Sequence, residues 1–124
     1  MRPILVVDDD RAIREVVADI LESADYRVRT ASNGAEALDQ IRVESPAAVL
    51  LDLMMPIMDG WEFLERCRRR RPCAEVPVAI MSAAHDTALA ASKLDVQGYL
   101  TKPFELDAVL AVVGRLATGG EEVN

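Results

Sequence analysis

The sequence predicts a doubly wound α/β domain built on a parallel five-stranded sheet, and three observations carry that prediction. Short aliphatic runs alternate five times with segments of helical periodicity, the pattern of successive βα units. The runs are nearly solid rather than alternating, as strands buried on both faces are. Polar residues fall where the runs stop, which is where open α/β sheets place their ligands.

The elements follow in order. Ile4-Leu5-Val6-Val7 is a β-branched run that stops at Asp8-Asp9-Asp10. Ile13, Val16, Val17, Ile20 and Leu21 then recur at helical spacing, so residues 11–23 read as an amphipathic helix. Tyr26 to Ala31 reads as a short strand. Asn33, with Glu36 three residues later, resembles a capping pair for a helix carrying Leu38 and Ile41. Pro46 ends that connection, and Ala47 to Leu51 forms the central strand, closed by the single carboxylate of Asp52. Asp59, with Glu62 three residues on, caps a third helix that runs through Trp61, Leu64 and Cys67 until Pro72. Val76 to Met81 is the fourth strand and ends at Ser82. An Ala-rich stretch, 85–95, carries a weak helical face. Gly98 to Thr101 is the fifth strand, ending at Lys102-Pro103, and Leu106, Val109, Leu110, Val113 and Leu116 mark the last helix. The domain is expected to occupy residues 1–118, with 119–124 as a polar tail.

Composition narrows the function. The chain has 124 residues and is half apolar with few aromatics, so the core is one aliphatic core in one domain. A formal charge of −7 argues against a nucleic-acid-binding face. No apolar run approaches membrane-spanning length, and the chain enters a strand at once, unlike a signal peptide. Cys67 and Cys73, with one His in the chain, match neither a disulfide framework nor a zinc site and are expected to be reduced cytosolic thiols.

In a parallel sheet the first, third, fourth and fifth strands end along one edge at Asp8-Asp9, Asp52, Ser82 and Lys102. Three carboxylates there repel one another unless a cation joins them. An all-oxygen donor set with waters suits Mg2+, which binds few protein groups together with phosphate. Lys102 and Ser82 would hold phosphoryl oxygens, and Asp52 is placed as an in-line nucleophile giving an aspartyl phosphate. No Gly-rich phosphate loop and no Ser-His-Asp arrangement supports a nucleotide or acyl-transfer site.

Asp8 and Asp9 after an apolar strand, Asp52 followed by Met55-Pro56 and Asp59-Gly60, Ser82-Ala83, and Gly98-Tyr99-Leu100-Thr101-Lys102-Pro103-Phe104 together resemble a response-regulator receiver domain of two-component signalling, chemotaxis-regulator-like, from residue 2 to about 117. The resemblance implies a flavodoxin-like (βα)5 fold with strand order 2-1-3-4-5, which the element pattern alone leaves open. It implies Asp52 as phosphoacceptor from a phosphohistidine, with Mg2+ (or Mn2+) on Asp8, Asp9, Asp52 and the backbone carbonyl of Met54. Ser82 and Lys102 would bind the phosphoryl group, and Ser82 and Tyr99 would form the switch. Lys102-Pro103 is a candidate cis bond. Met54 and Ala84 occupy the positions that tune phosphoryl lifetime in this family; neither can position a hydrolytic water, so slow decay is expected. The implied partners are a sensor histidine kinase or a histidine phosphotransfer protein, and a downstream protein on the face of the fourth helix, fifth strand and fifth helix. A cytoplasmic monomer or weak dimer, not a turnover enzyme, is the expectation.

Other residues have plainer readings. Asp10 reads as a helix cap or a solvated acid, Asp59 as a cap, Met54, Met55 and Met58 as gap-fillers, Trp61 as core or partial cover, and His85 as loop or helix start. The Arg66–Arg71 run reads as a solvated helix face balancing an acidic protein, ahead of docking to an acidic partner. Two other functions compete. A haloacid-dehalogenase-like phosphatase would carry a second Asp two residues after the nucleophile, where this chain has Met54. An interaction scaffold would keep its function without Asp52.

Overall fold

A computed structural model describes residues 1–83 and 87–119. Five parallel strands lie in the order β2-β1-β3-β4-β5, as expected: β1 Ile4–Val7, β2 Val28–Ala31, β3 Ala48–Asp52, β4 Val78–Ser82 and β5 Gly98–Thr101. The helices are α1 Arg11–Ser23, α2 Gly34–Val43, α3 Gly60–Arg68, α4 Thr87–Leu94 and α5 Leu106–Gly119. Among the described residues, no helix is long and apolar enough to cross a membrane.

The solid aliphatic runs have the burial they imply. Every residue of β1 and β3 is buried, and their side chains alternate between two apolar layers. Ile4, Val6 and Leu50 pack with Val17 and Leu21 of α1 and Val109 and Val113 of α5. Leu5, Val7, Val49 and Leu51 pack with Ala37 and Ile41 of α2 and Phe63 and Leu64 of α3. The period of two in the strands therefore assigns each helix its side of the sheet.

The caps match the sequence. Asn33 accepts from the Glu36 backbone N–H at 2.9 Å and Asp59 from that of Glu62 at 2.9 Å. Asp10 caps α1, accepting from Ala12 at 2.9 Å and Ile13 at 3.4 Å. The Glu36 carboxylate meets the Ser32 hydroxyl at 3.0 Å. Asp52 is the last residue of the central strand, and the Lys102-Pro103 bond is cis.

Three expectations are corrected. Strand β2 starts at Val28 rather than Tyr26, because Asp25 is left-handed (φ 70°) and the Tyr26 N–H turns back to Leu21 O, closing α1. Helix α3 stops at Arg68 instead of continuing to Pro72: the N–H groups of Arg69 and Arg70 turn to the carbonyls three residues back, on Arg66 and Cys67, and tighten the last turn. The chain then passes a cis Arg71-Pro72 bond and a 3-10 turn, Cys73–Glu75, before β4. The third concerns the cysteines. Cys67 and Cys73, expected as reduced thiols, are joined by a disulfide. The early end of α3 folds the chain back on itself and brings their Cα atoms to 5.1 Å, within the range a disulfide spans.

Gly60 has a specific role in placing the site. A Cβ there would stand 2.7 Å from the Asp52 carbonyl oxygen and 2.8 Å from Leu53 Cα. Only glycine lets the first turn of α3 sit directly against the end of β3, where the Gly60 N–H donates to Leu53 O at 2.9 Å.

Candidate functional site

The sheet edge gathers the predicted polar residues by its register alone. Val7 pairs with Leu51 and Asp52 with Met81, so Asp8, Asp52 and Ser82 emerge at adjacent strand ends. Ser82 pairs with Thr101 on β5, and the Lys102 backbone N–H donates to Ser82 O at 2.7 Å, which places the Lys102 side chain over the same edge.

Asp8, Asp9 and Asp52 each bring one carboxylate oxygen within 4.8 Å of the others. Asp8 and Asp52 are buried, at 0% and 6% exposure, and Asp9 is exposed. Lys102 Nζ lies 2.8 Å from Asp8 Oδ2 and 3.7 Å from Asp52 Oδ1. Backbone donors complete the shell. The Asp10 N–H donates to Asp8 Oδ1 at 2.9 Å, and the Met54 N–H donates to Asp52 Oδ1 at 3.3 Å.

The electrostatics follow. Burial, then the charge of Asp8, push the Asp52 carboxyl up to about 6, against the opposing pull of Lys102 and the Met54 N–H. Burial would lower the Lys102 ammonium, but its hydrogen bond to Asp8 and the charges of Asp8 and Asp52 outweigh that, and its pKa is raised. One ammonium thus faces three carboxylates. The excess negative charge, the all-oxygen donors and their spacing fit a hard divalent cation. Asp8, Asp9 and Asp52 would hold it.

The remaining predicted residues are spread more widely. Tyr99 sits mid-β5 opposite Ile80 with its side chain 46% exposed. Met54 is 71% exposed on the loop after Asp52. Ala84 and His85 lie outside the described residues, as does the tail from residue 120. One residue escaped the sequence reading. Arg14 donates from its guanidinium to the Asp8 carbonyl oxygen at 2.7 Å, anchoring the end of β1 from the first turn of α1. The only hint was its place one turn beyond the acidic run.

A doubly wound parallel sheet with a buried acidic pocket and an opposed lysine at its carboxyl edge defines an α/β domain with its ligand site at the strand ends. The family model described as the response regulator receiver domain matches residues 4–114, and the chain belongs to that family. The response regulator MprA of Mycolicibacterium vanbaalenii is 43% identical over 111 residues, 87% of this chain and 47% of that protein. The chain spans about half the length of the curated relatives it matches. Among solved structures, a putative response regulator from Chloroflexus aurantiacus superposes with a TM-score of 0.87 at 29% identity, covering 94% of this chain and 98% of that one. The receiver domain of NtrX from Brucella abortus gives 0.83 at 33% identity, with 92% and 97% covered. The chemotaxis response regulator CheY4 of Vibrio cholerae gives 0.84 at 29%, with 94% and 98% covered. In this family an aspartate takes the phosphoryl group from a sensor kinase and Mg2+ sits in the acidic pocket; its members are signalling proteins rather than turnover enzymes.

Proposed function

We propose that this chain is a phosphorylatable receiver in which Asp52 accepts the phosphoryl group of a phosphohistidine, on a sensor histidine kinase or a histidine phosphotransfer protein. An Asp52 carboxylate oxygen attacks phosphorus in line as the P–N bond breaks and the imidazole leaves with its electron pair. The observation that carries the reading is the position of Asp52: buried at the end of the central strand, beside Asp8 and Asp9, with Lys102 Nζ 3.7 Å away. With a carboxyl near 6, Asp52 is mostly ionised at neutral pH and able to attack.

Mg2+ (or Mn2+), held by Asp8, Asp9, Asp52 and the Met54 carbonyl, supplies positive charge to the phosphoryl oxygens when bound. Lys102, already over the pocket, pairs with one phosphoryl oxygen, and Ser82 donates to another. The ordered change is that Ser82 moves toward the phosphoryl group and the half-exposed Tyr99 ring turns inward. A hydrogen bond to a charged group contributes about 1.5–3 kcal/mol, while carrying a population from 1:99 to 99:1 takes about 5.5 kcal/mol. Ser82 alone therefore does not complete the switch. The re-pairing of Lys102 and a downstream protein that prefers the active face of α4, β5 and α5 supply the rest. Met54 and Ala84, unable to position a hydrolytic water, make the phosphoryl group long-lived; a half-life of seconds at neutral pH with Mg2+ refutes that part.

Intact-protein mass after incubation with Mg2+ and acetyl phosphate tests the whole. One added phosphoryl group on wild type, none on Asp52→Asn and none without divalent cation is the expected result. A wild type that stays unmodified over hours removes the active-receiver reading.

A further inference from the structure

We infer that Cys67 and Cys73 are a reversible thiol–disulfide modification site whose state is relayed through Arg68 to the carboxyl end of α4. The regulatory meaning of that relay rests on the proposed α4-β5-α5 output face; the relay itself does not.

The geometry has three parts. The disulfide staples the last turn of α3 to the 3-10 turn before β4, across the short connection 68–72. Both cysteines are buried, yet Cys73 also lines a groove of about 540 Å3 between α2 and α3, an approach for a small thiol. On the opposite side, both cysteines line a cavity of about 40 Å3 together with Arg68, Asp95, Val96 and Gln97. The disulfide is thus in the partition between a groove open to reagents and the α4-β5 connection.

Arg68 is the link. It follows Cys67 directly, and its guanidinium donates to Leu94 O and, at 3.2 Å, to Asp95 O. Those are carbonyls at the end of α4, where a cation offsets the helix dipole and fills acceptors left without intrahelical partners. The turn beyond them is a tight one: Asp95 is left-handed (φ 56°), the Val96 N–H returns to Ala91 O, and the Gln97 N–H donates to Val78 O of β4. The covalent bond holds the Arg68 backbone in one place, and Arg68 holds the turn.

The chemistry balances with ordinary thiol reagents. A reductant thiolate in the groove attacks the Cys73 sulfur, the Cys67 sulfur leaves as thiolate and takes a proton, and a second thiol of the dithiol reductant resolves the mixed disulfide. The pair gains two electrons and two protons, and the reductant becomes a disulfide. Oxidised glutathione runs the exchange in reverse. Reduction frees the 68–72 connection, so Arg68 spends less time on the α4 carbonyls while the buried thiols keep their places in the core.

The test uses the full chain incubated with dithiothreitol or with oxidised glutathione. Alkylation in denaturant followed by intact mass reads the thiols, circular dichroism of the folded chain reads the fold, and hydrogen exchange reads the amides of residues 95–97. Expected are two alkylated cysteines after reduction and none after re-oxidation, an unchanged dichroism spectrum, and exchange at 95–97 about tenfold faster in the reduced form. In Arg68→Met the exchange is fast in both forms while alkylation still follows the redox state. Loss of the fold on reduction, or cysteines that do not interconvert, overturns the modification site. Equal exchange at 95–97 in both forms of the wild type overturns the relay. None of these readouts involves Asp52, so a failure of acetyl phosphate to modify the same samples bears only on the proposed phosphoryl acceptance.

Discussion

Replacing Asp52 with Asn should stabilise the fold while abolishing its chemistry. The Asp52 carboxyl is displaced from 3.8 to about 6, by burial first and by Asp8 second. At about 1.4 kcal/mol per pKa unit, holding this group ionised in the folded state costs about 3 kcal/mol. The sign follows from proton counting. Because the folded-state value is raised, the unfolded chain loses this proton first as pH climbs from about 4, and the folded chain follows near 6. Between those values the folded state binds more protons, so stability falls with rising pH, and the full cost stands above 6. The amide introduced by Asp52→Asn carries no charge, and Lys102 keeps its 2.8 Å partner in Asp8. Urea unfolding in chelator, followed by Trp61 fluorescence at several pH values, measures the difference. The two proteins should be nearly equal at pH 4, and the variant more stable by about 3 kcal/mol at pH 7.5, a midpoint shift of roughly 2 M. A variant less stable than wild type at pH 7.5, or a gap that does not change between pH 4 and 7, refutes the reasoning.

Other perturbations have definite outcomes as well. Mg2+ at a hundred times its dissociation constant should stabilise wild type by about 2.7 kcal/mol, and Asp9→Asn should weaken that gain; calorimetric unfolding in Mg2+ and in chelator measures both. Gly60→Ala should cost about 2–3 kcal/mol, because its Cβ meets backbone at 2.7 and 2.8 Å that has no room to give. Gly114→Ala, mid-α5 with its nearest neighbour the Tyr26 hydroxyl at 3.8 Å, should instead stabilise by about 0.5–1 kcal/mol, and thermal melts of the two variants read the opposite signs.

The destabilisation calculated for Asp52 is the physical mark of a site. A fold selected only for stability would not bury two carboxylates side by side against one lysine. The same two carboxylates, joined by Asp9, become an asset once a divalent cation matches their charge, which is why the prediction for Asp52→Asn and the prediction for Mg2+ are two measurements of one electrostatic imbalance.

The βα alternation, the caps at Asn33 and Asp59, and the carboxylate closing the central strand are all legible in the sequence. These depend on local periodicity and on side chains within four residues of one another, so no distant contact is needed to read them. The motif set from Asp8 to Phe104 also points to the family. Other features exist only in three dimensions. The 2-1-3-4-5 order depends on which strand pairs with which, and local pattern carries none of that. The carboxyl of Asp52 rises because the packed sheet buries it and, second, because β1 lies beside β3 and brings Asp8 to it. Arg14 reaches the Asp8 carbonyl only once α1 has turned back over its strand. The disulfide is the clearest case. Two cysteines with a single His in the chain read as reduced thiols because their number fits neither a disulfide framework nor a zinc site. The chain leaves the helix after Arg68, and the fold-back that follows, not the spacing, makes the bond.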